Sequence, residues 1–267
     1  MKIILENIRS TTNTIMTKDI FVCFKQKFTL SPKIPLIELP TEIPKLDSIS
    51  IEYITDKNYL TGFIIILEKE LKRAEGEKVL DGFVKFFTHL ICIKSNRHIT
   101  SNPSGINYVR KDGTLEIGDD LSIVYNIEGA PVKLNIQDDL IRISKSSKPH
   151  IKQHIGYLAK TIILHQEKFP DHSIIEAFKI IENNQNFKNY NMYFALRNIL
   201  AHSPYYKDKT MYYFKGSFNK DDFDYLKYES ENNLIVLDLD SAKTLKNLNK
   251  IAIELINHLR VYLNIDK

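Results

Sequence analysis

An arginine, an asparagine and a histidine occur close together in one stretch of the chain that has helical character. The stretch Phe194-Ala-Leu-Arg-Asn-Ile-Leu-Ala-His-Ser-Pro204 contains Arg197, Asn198 and His202. At about 100° per residue, Asn198 and His202 lie on one face of a helix, whereas Arg197 and His202 are about 140° apart. The long arginine side chain can still reach the histidine, especially near the end of a helix.

These three residue types suit phosphodiester chemistry. An arginine guanidinium forms forked hydrogen bonds with phosphate oxygens, and a histidine imidazole can transfer a proton near neutral pH. If both groups met at one phosphate, the 2′-hydroxyl of RNA could attack that phosphate without a metal ion. The alternative is that Arg197 and His202 are surface cations near a helix C-terminus, where the helix dipole favours positive charge. Spacing alone favours this alternative, because short matches arise readily by chance.

Helices are predicted for most of the chain from Pro149 to Lys267. Apolar residues recur there at steps of three and four in four segments, which is the spacing of a buried helical face. These positions are Ile151, Ile155, Leu158 and Ile162, then Ile174, Phe178 and Ile181, then Tyr193, Leu196 and Leu200, and finally Leu245, Leu248, Ala252, Leu255 and Leu259. Ser173 and Glu176 form a predicted capping box before the second helix, and Asp240 or Ser241 caps the fourth. The pattern predicts a four-helix bundle whose third helix ends at the histidine.

An insertion rich in aromatic residues and lysines separates the third and fourth predicted helices. Its Tyr225–Glu229 and Leu234–Asp238 segments have strand-like composition and predict a β-hairpin. Shortly after the histidine, Tyr205, Tyr206 and Lys207 are candidates for substrate binding, because aromatic rings stack on unpaired bases and lysine binds the phosphate backbone. The alternative is that the aromatic residues pack on the bundle or line a dimer face, where tyrosine is common. The pattern favours packing or an interface.

The first half of the chain, to about Ser144, has mostly strand-like character. The predicted strands are Ile20–Phe24, Ser48–Tyr53, Phe63–Leu71 and Ser122–Asn126. One apolar stripe predicts a helix of about four turns, and it comprises Leu80, Phe83, Val84, Phe87, Leu90 and Ile91. Prolines after the first strand predict an edge strand or a loop rather than a central strand, and they are Pro32, Pro35, Pro40 and Pro44. Lys111–Thr114 contains an Asp-Gly turn signal.

The two halves meet at a short polar stretch, Ser144-Lys-Ser-Ser-Lys-Pro149, which ends in a proline suited to begin a helix. We therefore expect two domains, residues 1–146 and residues 147–267. The predicted fold class is α+β, with a β-rich N-terminal domain that contains one long helix. A four-helix bundle with a β-hairpin insertion follows it.

Composition excludes several classes of protein. The 267 residues carry a formal net charge of +4, far from the dense positive charge of proteins that bind nucleic acid by charge alone. Cys23 and Cys92 are far apart, so neither a disulfide framework nor a cysteine-rich zinc site is expected, which fits a reducing cytoplasm. No apolar run approaches the roughly 20 residues of a membrane-spanning helix. The sequence favours a cytoplasmic protein without a membrane segment.

Other candidate sites have weaker support. His150 and His154 have the i, i+4 spacing of a metal-binding pair, but no acidic or cysteine partner lies at metal-site spacing nearby, which favours a surface pair. His165 is expected to be a hydrogen-bonded core residue of the first bundle helix. Asp119-Asp120 and Asp138-Asp139 are expected in turns or at strand ends rather than in a two-metal site. No metal and no cofactor is predicted.

The segment Leu196-Arg-Asn-Ile-Leu-Ala-His-Ser-Pro204 resembles the Arg–polar–x-x-x–His motif of the HEPN superfamily (higher eukaryotes and prokaryotes nucleotide-binding domains). The order of the predicted helices is also similar, with the motif closing the third of four. The resemblance covers roughly Pro149 to Lys267. It implies a metal-independent endoribonuclease that acts as a homodimer, with one cleft formed by both protomers. Arg197 would bind the phosphate, His202 would act as acid–base group, and Asn198 would orient the histidine.

The resemblance also implies a biological setting and a rival function. Members of the superfamily include toxins and antiphage-defence effectors, whereas others have lost activity and bind a nucleotide, RNA or a protein. Because this chain keeps all three motif residues, the sequence favours an active ribonuclease, and a non-catalytic binding module is the alternative. The expected partners are an RNA substrate, a second copy of the chain through the bundle, and an antitoxin or defence protein. Residues 1–146 would serve recognition or regulation.

Overall fold

The structure is a computed structural model that describes residues 20–40, 44–118, 130–148, 150–202, 220–228 and 234–265. Its elements confirm the α+β class: an antiparallel sheet with a helix comes first, and helices dominate the C-terminal half. The described residues divide into two compact units. Residues up to Ser95 and Ile99–Ser147 form the first, and Asn96–His98 with the chain from Lys148 onward form the second. Within these residues, no helix is both long enough and apolar enough to cross a membrane.

One antiparallel sheet forms the body of the first unit. Its strands among the described residues are β1 (Ile20–Pro35), β2 (Lys45–Leu46), β3 (Ile49–Asp56), β4 (Tyr59–Leu67), β5 (Leu71–Lys72), β6 (Thr100–Arg110) and β7 (Leu115–Gly118). The order is β2-β3-β4-β1-β6-β7, and β5 also pairs with β1. The long strand β1 is therefore central, and Phe24, Phe28 and Leu30 on it are buried.

Helix α1 (Arg73–Ser95) supplies the core that covers one face of this sheet. The predicted apolar stripe is confirmed, since Leu80, Phe87 and Leu90 are fully buried. Phe87 meets the Phe63 ring of β4 edge-on, with the ring centroids 4.9 Å apart. Such edge-to-face pairs add stability beyond the area they bury. The face of α1 predicted from spacing is thus the face that packs on the sheet.

The prediction for the prolines after the first strand is wrong in part. Pro32 and Pro35 belong to β1, which pairs with β4 on one side and β6 on the other. Proline has no N–H to donate to a sheet ladder. The pairing of β1 with β4 shifts register between Thr29 and Ile34, so the ladder on this side is interrupted where Pro32 lies.

One turn of the sheet was predicted from the sequence and is present in the structure. The predicted Asp-Gly turn joins β6 to β7, where Gly113 has φ of +85° and the Thr114 N–H donates to Asp112 Oδ1 at 2.9 Å. The predicted strand Ser122–Asn126 lies outside the described residues, as does Asp119-Asp120. The positive φ of Gly113 confirms the turn, since glycine adopts this conformation readily.

A short helix, α2 (Ile136–Ser144), occurs where the sequence analysis predicted a turn or strand end around Asp138-Asp139. Asp139 is buried, with 1% of its side chain exposed. It pairs with Lys94 Nζ of α1 at 2.8 Å and with Arg142 one turn later. The prediction was wrong because Asp139 serves as an internal counter-ion, and the positive partner on α1 cannot be recognised from local sequence.

Four helices pack on one another in the second unit. They are α3 (Ile151–Gln166), α4 (Pro170–Ile181), α5 (Tyr190–His202) and α6 (Ala242–Leu263). Helix α4 contacts the other three, and α3 also contacts α6. Most of the predicted apolar positions supply the core, with Leu158, Ile181, Tyr193, Leu196, Leu255 and Leu259 fully buried. Leu200 and Leu245 are exceptions, since both are only half-buried. Between α5 and α6, β8 (Tyr225–Tyr228) and β9 (Leu234–Leu237) pair antiparallel.

The two predicted caps have different outcomes. Ser241 caps α6, because its side chain accepts a hydrogen bond from the Thr244 N–H, as expected. Ser173 is not a cap, since α4 already begins at Pro170. Its own N–H donates to Phe169 O at 2.9 Å, and its buried hydroxyl donates to Thr161 O of α3 at 3.0 Å. Proline is favoured at the first helical position, because the N–H that it lacks would have no partner within the helix there. This preference explains why α4 starts earlier than predicted.

Two glycines of α1 form a matched pair for testing its packing. A Cβ added at Gly76 would lie 2.2 Å from the Phe24 ring, whereas a Cβ at Gly82 would meet nothing within 4 Å. We expect Gly76→Ala to lower the free energy of unfolding by about 1–3 kcal/mol through over-packing. Gly82→Ala should raise it by about 0.5–1 kcal/mol through helix propensity. Urea unfolding followed by circular dichroism measures both, and equal effects would contradict the contact of α1 with β1.

The buried carboxylate of Asp139 provides a second test of the first unit. Asp139→Asn keeps the side-chain shape but removes the charge that faces the largely buried Lys94 ammonium. Breaking a buried ion pair from one side costs about 3–5 kcal/mol, so we expect a loss of that size in urea unfolding. Asp138→Asn is the control, because Asp138 is exposed and should change stability by no more than about 0.5 kcal/mol. A loss of similar size in both variants would contradict the role of Asp139.

Candidate functional site

The three motif residues lie together at the C-terminal end of α5. Arg197 and Asn198 are half-buried, and His202 is exposed. Arg197 Nη1 donates to Asn198 Oδ1 at 2.9 Å and contacts His202 Nε2 at 3.1 Å. The arginine side chain therefore reaches across the helix end to the histidine, and a guanidinium and an imidazole share one small surface.

The opposite face of α5 determines which side of the helix this surface occupies. Tyr193, Leu196 and Ile199 are buried in the second unit. The Tyr193 hydroxyl also hydrogen bonds with His258 Nδ1 of α6 at 3.2 Å. Burial, and then the nearby Glu254 carboxylate, raise the pKa of Tyr193, so its hydroxyl stays protonated. These contacts fix the rotation of α5, and Arg197 lies at the edge of its buried face.

The contact between Arg197 and His202 indicates which nitrogen of a neutral imidazole carries the proton. A guanidinium has only donors, so Nε2 of His202 must accept this hydrogen bond. A histidine nitrogen that accepts carries no proton, and the remaining proton of the neutral ring is then on Nδ1. In this arrangement the unprotonated nitrogen of His202 points toward the Arg197 guanidinium.

Two further side chains lie near the guanidinium, one on α4 and one directly after it. Neither was predicted to belong to the site. Glu182, directly after α4, has Oε1 3.8 Å from Arg197 Nη2, and its side chain is 53% exposed. The guanidinium carbon lies 5.9 Å from the centre of the Phe178 ring, within the range of a cation–π contact. Phe178 was predicted as a core residue only. Glu182 gave no local signal, because its place depends on how α4 packs on α5.

An aromatic cluster adjoins the arginine. It consists of Phe178, Tyr190 and Phe194, whose ring centroids are 5.6 to 6.0 Å apart. The rings of Tyr190 and Phe194 are nearly parallel, with an angle of 14° between their planes. Tyr190 and Phe194 are half-buried, whereas Phe178 is only 2% exposed. Tyr190 and Phe194 are four residues apart on α5, a spacing that indicates a shared helical face from sequence alone.

The position of Asn198 differs from the role that the family resemblance implied. It was expected to orient His202, but its side-chain oxygen accepts the hydrogen bond from Arg197. Within the described part of the chain, no hydrogen bond joins Asn198 to His202. The weaker candidates Tyr205, Tyr206 and Lys207 lie outside the described residues. Asn198 thus contacts the cation of the site rather than its imidazole.

Two half-buried histidines of α3, His154 and His165, lie outside the motif. Burial, and then the nearby His150 and Lys148, lower the pKa of His154. Burial also lowers the pKa of His165, which is half-buried. Its Nε2 has no hydrogen-bond partner among the described residues, so the expected hydrogen-bonded core histidine is wrong for this atom. The same residues hold no group of three or more His, Cys, Asp or Glu side chains placed for a metal ion.

Comparison with known proteins adds no assignment. The sequence matches no family model, no curated protein matches it, and no solved structure matches it. A functional interpretation therefore depends on the geometry at the end of α5.

The tautomer of His202 tests that geometry directly. At about pH 8.5, where imidazoles are neutral, nitrogen NMR should show the proton of His202 on Nδ1. Arg197→Met removes the donors and keeps an unbranched chain, so the proton should shift toward Nε2. His172 is an exposed internal reference on α4 that should not change. Identical spectra for His202 in both proteins would contradict the contact.

Proposed function

We propose that the protein is a metal-independent endoribonuclease whose reacting groups are Arg197 and His202. The observation that carries this proposal is the 3.1 Å contact between Arg197 Nη1 and His202 Nε2 at the exposed end of a helix. A phosphate-binding cation and a proton acceptor thereby lie within one phosphate's width of each other. Phosphodiester cleavage needs both groups.

The proposed reaction follows from these two groups. Arg197 binds the non-bridging oxygens of the phosphate, where charge develops in the transition state. His202 Nε2 takes the proton of the ribose 2′-hydroxyl as this oxygen attacks phosphorus. The bond from phosphorus to the 5′ oxygen breaks, and this oxygen receives a proton from an imidazolium. The products are a 2′,3′-cyclic phosphate and a 5′-hydroxyl.

The resemblance to the HEPN superfamily forms part of the proposal. The order of elements in the second unit supports it, because the two helices α3 and α4 precede α5, the motif ends α5, and β8, β9 and α6 follow. We accordingly take the second unit as a HEPN-type four-helix bundle with a hairpin insertion. In a homodimer through this bundle, His202 of a second copy would supply the proton for the 5′ oxygen. A cytoplasmic toxin or antiphage-defence effector is the proposed setting, with residues 1–146 in recognition or regulation.

One observation favours the non-catalytic alternative. Arg197 has three polar neighbours within its own chain, which are Asn198, His202 and Glu182. An arginine held in this way could serve as a fixed contact for a nucleotide, an RNA or a protein partner. This alternative keeps Arg197 as a binding residue and gives His202 no proton to transfer.

Cleavage of labelled RNA in the presence of EDTA tests the proposal. Loss of a general acid–base group lowers rates by about 10²- to 10⁴-fold, so His202→Ala should reduce cleavage by that factor. Arg197→Met should reduce both cleavage and RNA binding. His172→Ala is the control, because His172 is an exposed histidine of the neighbouring α4 that forms an ion pair with Asp171 and a ring contact with Phe169.

The alternative function predicts a different set of results. Wild-type protein would bind RNA or a nucleotide, Arg197→Met would weaken binding, and no RNA would be cut under any condition. Cleavage at wild-type rates by His202→Ala would also rule out the proposed reaction. The same variants expressed in a bacterial host would report on toxicity.

A further inference from the structure

Two rings of the aromatic cluster lie on the same side of α5 as the arginine. Tyr190, Phe194 and Arg197 are spaced i, i+4 and i+7, which places them along a single helical face. Phe178 of α4 contacts all three: its ring lies 5.6 Å from Tyr190, 6.0 Å from Phe194 and 5.9 Å from the guanidinium. Because Phe178 is buried while Tyr190 and Phe194 are half-buried, the two α5 rings are the members that solvent can reach.

The cluster and the arginine are also joined by polar contacts. The Tyr190 hydroxyl donates to Glu182 O at 3.0 Å. The carboxylate of Glu182 in turn lies 3.8 Å from Arg197 Nη2. One residue therefore holds the tyrosine through its backbone and the arginine through its side chain. The rings and the cation are thus already positioned in the free protein. Binding of a ligand that contacts both would therefore cost little entropy for ordering these side chains.

We propose that Tyr190 and Phe194 form a base-stacking subsite for the nucleotide next to the phosphate bound by Arg197. Aromatic rings bind unpaired bases by stacking, whichever base is present, and a neighbouring cation holds the backbone. Phe194 lies about one helical turn from Arg197, and Tyr190 lies about one turn further along the same face. The ligand class is an RNA segment with an unpaired base beside the reacting phosphate. This inference rests on the proposed function and specifies its substrate.

The base requirement can be measured without cleavage. The probe is a fluorescent 2′-O-methyl oligoribonucleotide, whose blocked 2′ oxygen cannot attack phosphorus. A second probe of equal length and charge has abasic positions in place of its bases. Stacking contributes a factor of about five or more in affinity per base, so wild-type protein should bind the first probe at least about fivefold more tightly in fluorescence anisotropy.

Three variants of the two rings and one control variant show whether these rings cause the difference in affinity between the probes. Tyr190→Leu and Phe194→Leu retain an apolar side chain for packing on Phe178 but lose the ring, so each should bring the two affinities closer together. Tyr190→Phe keeps the ring and loses only the hydroxyl contact with Glu182 O, so it should retain more of the wild-type ratio than Tyr190→Leu does. Phe169→Leu is the matched control, because Phe169 is a 51% exposed phenylalanine at the start of α4 and should leave the ratio unchanged.

The possible results separate this inference from the proposed function. Equal binding of both probes by wild-type protein that still cleaves RNA would overturn the stacking subsite alone. A wild-type ratio retained in both leucine variants would do the same. If these variants instead changed the sedimentation of the protein, the rings would belong to a contact between copies. Wild-type protein that bound neither probe and cut no RNA would overturn both proposals.

Discussion

The contact between Arg197 and His202 depends on the length of the arginine side chain and on the rotation of α5. Side chains five residues apart on a helix point in different directions, about 140° apart. The long side chain of Arg197 spans this angle, so that Nη1 reaches His202 Nε2 at 3.1 Å. Burial of Tyr193 and Leu196 prevents α5 from rotating, which keeps Arg197 at the edge of the core. The site is thus a consequence of side-chain length and of the packing of the opposite face.

The interactions of Arg197 within its own chain are strong enough to orient its side chain and weak enough to be replaced by a ligand. Asn198 and His202 offer neutral acceptors, and Glu182 is more than half exposed, so solvent screens its charge. A phosphate offers charged oxygens that a guanidinium can bind through two parallel hydrogen bonds, which adds both energy and geometric specificity. If RNA binds as proposed, exchange of these partners for phosphate oxygens would therefore be favourable, and the Phe178 ring would remain beside the guanidinium. A chain with a net charge of only +4 can hold a phosphate in this way, because the positive charge is local.

Much of the fold was predictable because apolar spacing reports directly which side of a helix is buried. The stripe from Leu80 to Ile91 and the apolar positions of α3 to α6 are examples. The central position of β1 was not predictable, since its prolines indicate an edge. The register shift between Thr29 and Ile34 that accommodates Pro32 depends on pairing with β4, a strand that begins more than 20 residues later. Periodicity carries no information about such pairing.

The site shows the same limit for polar side chains. The motif itself is local, so the proximity of Arg197, Asn198 and His202 could be expected from spacing and side-chain length. Their roles could not, because Asn198 contacts the arginine and Glu182 approaches it from the end of another helix. Asp139 and Ser173 were misjudged for the same reason: Lys94 and Thr161, their partners, lie on other helices. An apolar residue needs only a core, whereas a buried polar group needs a particular partner, and that partner is decided by tertiary packing.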